Sequence, residues 1–441
     1  AAKTAQTSRS PTGLIGDERF HQAAGETMDR RRGSKSKKPR TAAAAAVGPI
    51  GDRLTTLPLE LRARIVSLLS FREIVQLTTL SRSWRHIHHH TPVVDINLLK
   101  LYWDEDVADE DSALAARVAL SRRAQDGSAS SVETLRLTYV VDDDRLFTDR
   151  RMRRHAERII ALADARDVRI HAAHSEDFVQ HDWTLDLPPA ARHLAVTGSR
   201  HLAPAIVGPG AAALRELRLF SLSRSLVLRE WPHLPSLRSL GLNGVIVEAP
   251  FAPGSWCPLL EELAMIDCDI EQARVDIRLP WLRSLDMDAV DVRPRGKHDG
   301  DREPFGFITI DAPMLRNFVM YIDAAGSTTD YKSFTLRALG LRLLCWRNQF
   351  AERVVIDVGN PGSVKVGAIR LTTIYYREME CYRKQMMRML EGLLPDLPPE
   401  SVADVARPYL EECSDSEDED DDEPKDRRLT CDLDALMSRH I

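Results

Sequence analysis

The sequence predicts an α/β fold in which a small N-terminal helical unit precedes a run of strand-bearing repeats closed by helices at the C-terminal side. Three patterns carry this expectation: apolar residues at helical spacing between positions 57 and 87, a short leucine motif returning along the middle of the chain, and a Tyr/Met/Leu stripe after position 374. The chain has 441 residues, 43% of them apolar and 29% charged, enough to bury a sizeable core and to exclude a wholly disordered chain.

The net charge of −6 hides two opposed blocks. Residues 29–40 hold seven Lys/Arg against one acid, and residues 411–426 hold eleven acids against one Lys, net −10, which leaves about −2 elsewhere. A nearly neutral body argues against a nucleic-acid or membrane surface. The six cysteines, at 257, 268, 345, 381, 413 and 431, form no CxxC pair and have no companion His at metal-ligand spacing. They read as free thiols of a reducing compartment. No apolar run approaches the roughly 20 residues of a membrane span. Nucleus or cytoplasm is the expected location.

Residues 1–50 are small, polar and basic, with too little apolar content to fold alone. Met28 before the basic run is the expected true start. Residues 411–441 form an acidic tail, in which Ser414 and Ser416 each have Glu three residues on, a pattern acidophilic kinases favour.

Between 52 and 90 the sequence predicts three short helices. Pro58 suits a first helical turn. After it, Leu61, Ile65, Leu68 and Leu69 form one stripe that ends near Leu69. Ser70-Phe71-Arg72-Glu73 is a capping box opening a second helix, which carries Ile74, Val75, Leu77 and Leu80. A third bears Trp84 and Ile87 and stops at Pro92. Such a unit encloses little volume and should bury an apolar face on a partner or on the next domain. His86 and His90, four apart, would share one helix face, but no third metal ligand is near them.

The run from Asp52 through Leu54, Leu57-Pro58, Leu61, Ile65, Leu68, Val75 and Leu80-Ser81-Arg82 to Trp84-Arg85 resembles the F-box of plant F-box proteins. It departs from that pattern at Leu59, which separates the Leu-Pro pair from Glu60. The resemblance implies docking on the Skp-type adaptor of a cullin ubiquitin ligase. It also implies that Leu57, Pro58, Leu61, Ile65, Val75, Leu80 and Trp84 form the docking face or its support.

After a connecting segment, 91–131, the string L-x-x-L-x-L recurs with substitutions. It starts at 132, 165, 191, 214, 237, 260, 282, 315 and 341, and the central spacings of 23, 23, 23 and 22 are the period of a leucine-rich repeat. The two spacings of 33 mark insertions. Each unit would supply one strand and a return, and stacked units share one core, so an irregular solenoid is expected over 132–372. Its Asn/Cys position is met convincingly only by Cys268. With the motif leucines inward, the residues between them line the concave face: Glu216, Arg218, Phe220; Ser239, Gly241, Asn243; Glu262, Ala264, Ile266; Ser284, Asp286, Asp288; Asn317, Val319, Tyr321. Phe220, Ile266 and Tyr321 are the expected target contacts, because apolar residues on one such face suggest a partner.

Gly208-Pro209-Gly210-Ala211-Ala212-Ala213 matches a dinucleotide fingerprint, which would require a helix over 211–222; the repeat register demands a strand there instead. Beyond Trp346, VVIDVGN and VKVGAIRLT read as strands. Tyr375, Met379, Tyr382, Met386, Met389 and Leu393 read as one face of a capping helix, with a weaker helix over 400–410, so 373–410 is expected as a helical cap. The segment 341–372 also loosely resembles the post-repeat region of plant F-box proteins. Together these features lead to an expected non-catalytic substrate receptor without cofactor or metal, which holds a target protein near a Skp–cullin ligase. The alternative is a stand-alone repeat scaffold whose N-terminal helices only cap it.

Overall fold

The computed structural model describes residues 54–102, 105–108, 110–127, 129–140, 148–173, 181–198, 202–221, 226–294, 305–321, 330–347, 349–360, 364, 366–370 and 392. The chain divides into two compact units, Ala1–Asp52 and Arg53–Ile441, and every described residue belongs to the second.

The second unit is a mixed α/β structure organised by one large parallel sheet. Its eleven strands follow chain order: β1 (Val93–Asn97), β2 (Thr134–Val140), β3 (Asp167–Ala173), β4 (His193–Gly198), β5 (Glu216–Ser221), β6 (Ser239–Asn243), β7 (Glu262–Ile266), β8 (Ser284–Asp288), β9 (Asn317–Tyr321), β10 (Leu343–Arg347) and β11 (Val366–Arg370). Each of β2 to β10 begins at the third residue of one of the nine leucine motifs. The reason is the period of two: the fourth and sixth motif residues point to the same face and are apolar in every copy. Leu217 and Leu219, Leu240 and Leu242, Leu263 and Met265, and Leu285 and Met287 are all buried in one continuous core.

The returns form smaller parallel sheets. Leu226–Leu228, Val245–Val247, Asp269–Ile270 and Asp291–Val292 make one of four strands. Arg274–Arg278, Phe305–Asp311 and Asp330–Arg337 are joined by Phe350–Ala351 and Val354–Asp357 in another. The dinucleotide-like string does not make an α-helix: Ala211–Ala213 is a single 3-10 turn, followed two residues later by β5.

Four longer helices are described: α1 (Leu59–Val66), α2 (Phe71–Leu77), α3 (Glu110–Gln125) and α4 (Thr148–Ala163). The expected third N-terminal helix is not one. Residues 82–84 and 87–89 form two separate 3-10 turns, so His86 and His90 share no α-helical face. α1 also stops at Val66, and Leu68 and Leu69 lie in the tightened turn after it. The connecting segment expected at 91–131 holds β1 and all of α3, so the large sheet begins about forty residues before the first motif. The stripe from Tyr375 to Leu393, the helix at 400–410 and the acidic tail lie outside the described residues.

The turn closing each of three central strands bonds it to its neighbour at that end. Gly244, Asp267 and Ala289 follow in-register strand ends and have φ of 64°, 55° and 49°. In each turn the N–H donates to the next repeat: Gly244 to the Ile266 carbonyl, Asp267 to that of Asp288, and Ala289 to that of Tyr321, at 2.8–2.9 Å. Cys268 Sγ adds contacts to the Leu242 and Ile266 carbonyls. At Gly244 a Cβ would meet the Ser221 carbonyl oxygen at 2.0 Å, so only glycine fits. Ala289 occupies the same left-handed region with a Cβ. Ala289→Gly is therefore expected to stabilise the chain by about 0.5–1 kcal/mol. An unchanged or lowered urea midpoint would contradict this.

Candidate functional site

The N-terminal helical unit has two faces. Ala63, Val66, Ile74 and Ile87 form a small core of their own, against which Leu59, Leu77 and Trp84 pack. The Arg62 guanidinium lies 5.7 Å from the Trp84 ring centroid, and its Nη1 donates to the Ser83 carbonyl at 2.9 Å, which ties α1 to the first 3-10 turn. Ser70 and Glu73 make the reciprocal capping box at the start of α2. The hydroxyl and backbone N–H of Ser70 hold the Glu73 carboxyl below its ordinary range.

The other face is apolar and open. Leu61, Ile65 and Leu68 are 48%, 45% and 87% exposed, and Leu80 is 74% exposed. With Leu54 and Leu69, six of the fifteen exposed large hydrophobics of the described chain fall between residues 54 and 80, so exposed apolar residues are concentrated in this unit. Pro58 is exposed as well, while Leu57 and Trp84 are half-buried. Val75 stands apart from this set: it packs on the main core beside buried Phe71, because α2 lies against β1 and α3. Among the seven residues singled out in the sequence, Val75 thus joins the unit to the sheet.

That junction contains the polar chemistry the sequence reading missed. Arg123, buried near the end of α3, donates to the carbonyls of His88, Thr91 and Ser130 at 2.8–2.9 Å and to Thr91 Oγ1 at 3.2 Å. Burial lowers its pKa to about 10, so it stays charged at neutral pH. His89 is buried and bonds Asp126 Oδ2 through Nδ1 at 2.5 Å. His88 Nδ1 is buried without a hydrogen-bond partner. Burial first, then the nearby His89, Arg123, His86 and Arg122, lower the His88 pKa from 6.5 to about 4.

As pH falls from about 6.5 toward 4, the unfolded chain takes up a proton that the folded chain refuses, so stability is lost in that window. With the residue partly exposed, the expected loss from this one group between pH 7 and 5 is about 1 kcal/mol. Equilibrium unfolding at both pH values should show it. His88→Gln should flatten the dependence; an identical slope in the variant would assign it elsewhere.

On the open face of the large sheet, the expected target contacts fall in one row. Pairing places Phe220 beside Asn243, Asn243 beside Ile266, Ile266 beside Asp288 and Asp288 beside Tyr321. Phe220, Ile266 and Tyr321 are each half-buried, on alternate strands about 9–10 Å apart. The next row runs Arg218, Gly241, Ala264, Asp286, Val319. Gly241 and Ala264 are its small members, and burial raises the Asp286 pKa. Among the described residues no ion-pair partner reaches the Asp286 carboxylate.

Cys257, Cys268 and Cys345 are buried, and burial pushes the Cys257 thiol up, away from the reactive thiolate. Comparison of the chain with protein-family models, with curated proteins and with solved structures finds no match.

Proposed function

We propose that the chain is a non-catalytic substrate receptor of a Skp–cullin–F-box ubiquitin ligase. In this reading residues 52–90 are an F-box whose open leucine patch docks the Skp-type adaptor. The parallel strands are an irregular leucine-rich-repeat solenoid whose open face holds a target protein. The supporting observation is the exposure of Leu61, Ile65, Leu68 and Leu80 on a unit that already has its own small core. Leucines at helical spacing normally face inward; here the stripe is left to water, and covering each leucine would contribute about 1.5–3 kcal/mol. Ubiquitin transfer would be done elsewhere in the assembly, and the receptor would act by raising the target's effective concentration. On the target side, Phe220, Ile266 and Tyr321 offer apolar contacts, with Asp286 in the next row of the same face.

Co-purification with a Skp-type adaptor tests this. A stable complex is expected; none forming under conditions where a known F-box protein binds would overturn the reading. The scaffold alternative has one observation in its favour: Phe71 and Val75 seat α2 on the first strand as a cap would. An N-terminal unit that caps the sheet and still leaves its leucine patch open is compatible with either reading, so adaptor binding decides.

A further inference from the structure

The residue just before each of β2 to β10 is the second residue of the leucine motif, and in seven of the nine copies it is arginine. In-register pairing stacks these into a ladder along the edge where the strands begin. Arg192 N–H donates to the Arg166 carbonyl, Arg215 to Arg192, Arg238 to Arg215, Glu261 to Arg238, Arg283 to Glu261, Arg316 to Arg283 and Arg342 to Arg316, all at 2.7–2.9 Å. At the strand spacing of about 4.8 Å the row from Arg166 to Arg342 is about 34 Å long.

Nothing in the fold requires arginine there. The position is mostly exposed, and any residue but proline supplies the backbone bonds. One acid, Glu261, pairs with both Arg238 and Arg283. Arg192 donates to the Pro189 and Ala191 carbonyls. Arg166, Arg215, Arg316 and Arg342 have no ion-pair partner among the described residues. Beside Arg192, Arg215 and Arg238 runs an open groove of about 320 Å³, with Ala213, Ser236 and Leu259 completing its wall. A row of like charges held at fixed spacing is repulsive, so an extended anion laid along it gains most.

We propose that the occupant is the chain's own acidic run, residues 411–426. It carries a net charge of −10 and includes seven consecutive acids, Glu417 to Glu423. Gly392 lies against the Val354 carbonyl, and the 19 residues from there to Glu411 can span up to about 65 Å, which covers the length of the ladder. An extended acidic run needs no fixed register, since whichever side chain faces the row is negative. Tethering gives it a local concentration that a free anion must exceed to displace it. Phosphorylation of Ser414 and Ser416 would add charge and tighten the contact.

Arginine footprinting with phenylglyoxal on the full chain, read by peptide mass mapping, tests the proposal. The natural chain is compared with a variant in which the seven acids from Glu417 to Glu423 are replaced by Gln or Asn. Arg215, Arg316 and Arg342 should react several-fold faster in the variant, and in the natural chain at 0.5 M salt. Exposed Arg353, off the ladder, should not change. Equal rates at the three ladder arginines in both proteins would overturn the proposal. Protection that disappears on dilution would also overturn it, because the acidic run would then come from a second copy.

Discussion

Substituting Leu61→Asp together with Leu80→Asp should reduce adaptor capture by at least 100-fold while leaving the fold intact. The two leucines are 48% and 74% exposed, so neither contributes much to the unit's own core, and charging them costs little in the free chain. In a docked complex each would place an unpaired carboxylate in an apolar contact, which costs several kcal/mol per site. Trp84→Ala would be a poorer probe. Trp84 packs on the core of Ala63, Val66, Ile74 and Ile87, so lost capture there could be lost folding. Unchanged circular dichroism and unfolding midpoint, combined with lost capture, is the expected pair of results. Undiminished capture would show that the open leucines serve something other than the adaptor.

The second large effect is expected at the junction. Arg123→Met keeps the length of the side chain but removes donors that serve three backbone carbonyls and one hydroxyl. Those acceptors, in a largely buried place, would be left partly unsatisfied, and a loss of about 3–5 kcal/mol is expected. Because His88 and Thr91 lie between α2 and β1, the damage should begin at the N-terminal side. Hydrogen exchange should therefore quicken in α1, α2 and β1 before it quickens in β6 to β8. A uniform change along all strands would mean that the chain unfolds as one block and that Arg123 is not a local staple.

The sheet was legible in the sequence because its signal is repeated. One L-x-x-L-x-L string could belong to many structures, but nine copies fix strand position, inward face and register together. The row of Phe220, Ile266 and Tyr321 follows from that register alone. β1 was missed because its string, Thr91-Pro92-Val93-Val94-Asp95-Ile96, has a polar residue at the leading apolar position and stands 41 residues before the first of the nine copies, outside their period. α3 was missed for a different reason: its buried face is Ala113, Ala116, Ala119, Leu120 and Arg123, and alanine carries little hydrophobic contrast. α4 could have been found, since Met152, Ala156, Ile159, Ile160 and Ala163 recur at helical spacing within one of the 33-residue intervals. Reading that interval only as an insertion hid it.

Around the candidate site the same contrast holds. The leucine stripe of α1 was visible, and the need of so small a unit for a partner follows from its volume. That the stripe faces solvent depends on Ala63 and Val66 filling the inner side, which spacing alone cannot distinguish. The Arg123 staple joins residues 32 and 35 positions apart in the chain, and no local pattern announces it.

Chain-ordered strands also shape how the molecule is assembled in time. Every strand of the large sheet bonds to its nearest predecessor and successor, so no step of sheet formation must wait for the two termini to meet. Short loops close early at low entropic cost, which favours rapid growth outward from any well-formed pair. A nascent chain could thus lay down β1 to β5 while later repeats are still being synthesised. A single backbone cleavage between Val292 and Phe305 should leave two pieces able to reassociate, since Arg274–Arg278 and Phe305–Asp311 pair across that gap.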